Sequence, residues 1–134
     1  MVFTPNGFLK IGGVVLVLVA LLGFFHVLGP TADASIFGST WWFDNGENWA
    51  HLILGVVGLI AAFTLSASMQ KGLVMLLGVV GVLVAVYNLF STNLLGANLE
   101  SPMDLILHLV VGAWALYASL KKPAMMVSGP AMTA

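Results

Sequence analysis

Asp44-Asn45-Gly46-Glu47-Asn48-Trp49-Ala50-His51-Leu52-Ile53-Leu54-Gly55 opens a long apolar run, and 57 residues later Ser101-Pro102-Met103-Asp104-Leu105-Ile106-Leu107-His108-Leu109-Val110-Val111-Gly112 opens another. Each copy has a capping residue, a carboxylate three positions on, a histidine four after that, then leucine and, three further, glycine. A polar cap with a carboxylate in the next turn is how a helix begins, because both face the unpaired N–H groups and the positive end of the helix dipole. After the opening, no charge occurs until Lys71 in the first copy and Lys121 in the second. Such runs are long enough to cross a bilayer.

At the same offset Leu59/Leu116 and Ala61/Ala118 are identical. His, Gly and Leu at i, i+4 and i+8 trace one stripe along each helix. The expected architecture is an all-α membrane protein with four transmembrane helices, built as two helical hairpins in a parallel internal repeat about the membrane normal.

Composition agrees. Of 134 residues, 60% are apolar and 7% are charged, where a soluble domain carries about a quarter charged. The chain has no cysteine, which excludes disulfides, thiolate catalysis and Cys-based zinc sites. Four lysines and no arginine form no basic patch, so nucleic acid is not an expected partner. The uncharged stretch from Ile11 to Leu28 exceeds the 7–15 residues usual in a signal-peptide core and reads as a retained membrane helix.

The expected helices span about 8–28, 47–67, 73–90 and 102–120. Gly29-Pro30 stops the first, and Met69-Gln70-Lys71-Gly72 forms the turn between the second and third. Ser101 is the expected N-cap of the fourth, with Pro102 at its first position. Residues 1–122 form the transmembrane domain and 123–134 a flexible cytoplasmic tail. Lys10, Lys71, Lys121 and Lys122 share one side of such a bundle, while Asp33, Asp44, Glu47, Glu100 and Asp104 share the other. The positive-inside rule then makes both termini cytoplasmic.

Chemistry would sit among the histidines. His26 falls in the last turn of the first helix, and His51 and His108 lie about 10 Å beyond their caps at 1.5 Å per residue. Each of the latter has a carboxylate at i−4, Glu47 or Asp104. Neutral imidazoles can hold haem iron, a chlorin magnesium or a divalent metal, with Glu47 and Asp104 orienting the rings. The structural alternative is that each ring hydrogen-bonds a loop carbonyl or a neighbouring helix, and this is the expected arrangement. Gly55, Gly58, Gly78, Gly81 and Gly112 read as helix-packing positions. Trp41, Trp42, Trp49 and Tyr117 read as interface anchors, and Trp114 as anchor or core.

The two Glu/Asp-x-x-x-His-Leu-x-x-Gly segments resemble those of a bacterial family of small four-helix integral membrane proteins of unknown function. That resemblance implies a multi-pass protein of the bacterial plasma membrane, and brings no activity or cofactor. The chain has no Ser-His-Asp order, His-Glu-x-x-His motif or phosphate-binding glycine loop. The expected function is therefore non-enzymatic: an accessory or structural subunit packed in the lipid bilayer against other membrane protein subunits, of photosynthetic or respiratory type. A cofactor- or metal-binding protein is the first alternative, and a small transporter or proton-handling protein the second.

Overall fold

The computed structural model describes residues 1–122; the segment 123–134, expected as a tail, lies outside the described residues. Four helices follow one another: α1 (Pro5–Phe24), α2 (Asn45–Thr64), α3 (Ala67–Asn88) and α4 (Met103–Leu120). All four are long and apolar enough to cross a membrane. α1 packs along α2 and α3 along α4, and α1 also touches α3 and α4. The result is an all-α bundle of two helical hairpins.

Helix ends depart from the sequence reading wherever a cap outweighs a glycine. α1 begins before Phe8, because the Thr4 side chain accepts a hydrogen bond from the Gly7 N–H and Pro5 occupies the first turn. It ends at Phe24, well before Gly29-Pro30. The N–H groups of Val27 and Leu28 both fold back on the Leu22 carbonyl at 3.0 Å, and His26 takes φ 61°. This is the left-handed position that closes a helix; glycine usually fills it and histidine tolerates it. His26 is thus not in the last turn of a helix. It lies exposed in the connection.

Between α2 and α3 the turn is Leu65-Ser66 rather than residues 69–72, because the Ser66 side chain accepts from the Met69 N–H and starts the helix there. Gly72 lies inside α3 with open space around it. Ser101 does not cap α4, which starts at Met103 without a side-chain cap. Instead the Asp104 N–H donates to the Glu100 carbonyl at 2.8 Å, and the Asp104 carboxylate takes the Glu100 N–H at 2.6 Å.

Close helix contact centres on glycine. A Cβ on Gly55 would stand 2.8 Å from the Gly13 carbonyl and 2.9 Å from Val17; one on Gly112 would stand 2.9 Å from Val82 and 3.0 Å from the Gly78 carbonyl. Only a hydrogen fits at either place. Gly81 lies beside Gly112, and Gly58 lies more loosely against Leu9 and Gly13.

The apolar core gathers Phe8, Leu9, Ala61, Ala62, Val74, Ala115 and Ala118 in the half of the bundle nearest the lysines. Trp114 joins it, its ring edge-on to Phe8 at 4.6 Å and its indole N–H donating to the Val2 carbonyl. Tyr117 stays exposed.

At the opposite end, two connections cover the bundle. Residues 25–44 carry short 3-10 turns at Ala32–Ala34 and Gly38–Thr40. Residues 89–102 carry a small antiparallel pair, β1 (Asn93–Leu94) and β2 (Ala97–Asn98). β2 leans over the start of α2.

Candidate functional site

The carboxylates and histidines of the two motifs lie toward the loop end. The first motif makes a complete capping box: Asp44 Oδ1 accepts the Glu47 N–H at 2.8 Å, and Glu47 Oε2 accepts the Asp44 N–H at 3.2 Å. The second Asp44 oxygen accepts the N–H of Asn98, from the other hairpin, at 2.7 Å. Asp104 does the converse. One oxygen takes the Glu100 N–H at its own helix start, and the other takes the indole N–H of Trp41, again from the other hairpin, at 3.1 Å. Each acid therefore ties its own helix start to the opposite loop. Charge-assisted bonds of this type are among the stronger ones in a protein.

Behind this clasp lies a buried polar layer. Glu47 is 5% exposed, Asn48 0% and Asp104 1%. Asn48 lies flat over Gly23 of α1, where a Cβ would collide with it, and donates to the Phe43 carbonyl at 3.4 Å. Asn88, on α3, donates to the carbonyls of Ser91 and Leu99. Each hairpin thus pins its own loop with one buried asparagine, though from opposite helices.

The two motif histidines differ in their contacts. His108 Nδ1 lies 2.7 Å from the Asp104 carbonyl one turn earlier on its own helix, not on a loop or a neighbouring helix as expected. His51 stacks edge-on against Phe43 at 5.2 Å, and its Nδ1 is buried without a hydrogen-bond partner. Glu47 Oε1 and Asn48 Oδ1 are bare in the same way. His26 stands outside this layer, exposed in the connection.

Both Asp104 oxygens are engaged, and among the described residues no three His, Asp or Glu side chains come close enough to share a metal. Trp41, read as a membrane anchor, is a clasp donor; Trp49 remains exposed, edge-on to Phe24. The sequence reading passed over Asn48, Asn88 and Asn98. The first two carried a usable signal, since an amide inside a span is costly unless buried and bonded.

Compared with protein-family models, with curated proteins and with solved structures, the chain matches none of them.

Proposed function

We propose that this chain is a non-enzymatic accessory subunit of a larger assembly in the bacterial plasma membrane, with the lysine end and both termini cytoplasmic. The main support is the seam between α2 and α3. These helices are joined by two residues, yet they make little contact with each other and pack on the rest of the bundle instead. Between them runs an open apolar groove lined by Val57, Ile60, Ala61, Thr64, Leu65 and Leu73. A partner's transmembrane helix suits such a groove, because close packing drives helix association in lipid. Hairpin duplication belongs to the same reading. It is supported by the pairing of Gly55 with Gly13 and Val17 in one hairpin and of Gly112 with Gly78 and Val82 in the other.

A photo-crosslinking residue in place of Ile60, used in intact cells, tests the subunit role. A defined second membrane polypeptide is the expected adduct, and lipid adducts alone would refute the reading. Because the chain has no cysteine, single-cysteine variants report orientation cleanly. An impermeant thiol reagent should label Ser35→Cys and spare Lys71→Cys; the reverse pattern inverts the topology.

The bare Glu47 and His51 atoms favour a second reading, in which the loop-end layer handles protons through a small hydrogen-bonding guest. Equal proton leak through vesicles carrying wild type or Glu47→Gln would end it.

A further inference from the structure

The lysine end holds a cleft between the starts of α1 and α3 and the foot of α4. Pro5, Asn6, Ser68, Gln70, Lys71 and Lys121 line it. Its amides are already assigned: Gln70 donates to the Ala62 and Leu65 carbonyls, and Asn6 donates to the Ala62 carbonyl. Among the described residues, no carboxylate pairs with its cations. All five acids of the chain lie at or near the opposite end, one helix length away. At about 1.5 Å per residue that is roughly 30 Å, several times the Debye length at physiological salt.

Lys10 is engaged elsewhere, its Nζ 4.9 Å from the Phe63 ring. Lys71 and Lys121 stand exposed at the cleft. The Lys121 ammonium is held 5.9 Å from the Tyr117 ring and 6.0 Å from the Phe3 ring. The first amides of α1 and α3, including those of Asn6 and Ser68, precede the helical hydrogen-bond ladder, so they add donors to the same walls.

We propose that this cleft binds the phosphate of an anionic lipid headgroup, with Lys71 and Lys121 as the paired cations. Two ammonium groups, polar walls and uncompensated charge suit a phosphodiester at a headgroup layer. The neighbouring apolar helix faces leave room for its acyl chains. The site requires only that the lysine end meet a headgroup layer, so it stands or falls apart from the subunit role.

Native mass spectrometry of the purified full-length protein tests it. Phosphatidylglycerol, phosphatidylcholine with the same acyl chains, and inorganic phosphate are titrated separately. Preferential retention of phosphatidylglycerol is expected. Lys71→Ala with Lys121→Ala should weaken it about 30-fold, Lys10→Ala should leave it unchanged, and arginine at both cleft positions should preserve it. Should the alanine pair misfold by circular dichroism, the glutamine pair carries the same expectation. Equal binding of the two lipids, or full affinity in the double variant, overturns the proposal. Binding of inorganic phosphate that phosphatidylglycerol cannot displace also overturns it, and assigns the cleft to free phosphate.

Discussion

The two ends of the bundle treat buried polar groups in opposite ways. At the lysine end Gln70 is 7% exposed; its amide nitrogen serves the ending carbonyls of α2, and its oxygen takes the Asn6 side chain at 3.2 Å. At the loop end Glu47, Asn48, His51 and Asn88 each keep a buried atom without a partner. A neutral amide that ends a helix only stabilises. A buried carboxyl with a bare oxygen, close to other acids, costs stability. The lysine end is therefore built for holding, and the loop end keeps groups that holding alone does not require.

Midway between the ends, the contacts are alike in both hairpins, which sets the scale. Gly55→Leu or Gly112→Leu would drive a side chain into backbone and should cost more than about 3 kcal/mol. Thermal unfolding in detergent, followed by tryptophan emission, should show a large loss for both variants. If only one is damaged, the hairpins are not held alike.

A smaller effect is expected at Gln70. Gln70→Leu keeps most of the volume but strips donors from the carbonyls of α2, and should cost about 2 kcal/mol. An unchanged melting temperature would remove the contrast on which the comparison rests.

The smallest effect, and the opposite sign, belongs to Glu47→Gln. The variant still accepts the Asp44 N–H and replaces only a buried carboxyl whose other oxygen has no partner. Its stability should stay within about 0.5 kcal/mol of wild type or rise. A loss as large as that of Gln70→Leu would mean that the carboxylate is as structural as the amide.

Much of this was legible in the chain. Four spans, their pairing and the start of α2 at Asp44 follow from apolar length and capping chemistry. Helix ends were harder, because an apolar run has no polar face to mark its limit. Gly29, Pro30 and Gly72 outweighed Thr4, His26 and Ser66, although the latter three do the ending and starting. At the candidate site, Glu47, His51, Asp104 and His108 stood out by spacing. The loop donors Trp41 and Asn98 did not, because a clasp between hairpins joins residues far apart in sequence, and no local pattern records it.

That clasp bears on how the protein is made. Asp44 meets Asn98 across 54 residues, and Trp41 meets Asp104 across 63. At roughly 5–20 residues per second, a ribosome needs several seconds to supply the missing half. During that interval one Asp44 oxygen and the Trp41 indole N–H are without the partners that the second hairpin supplies. Its loop is held down only when the second hairpin arrives.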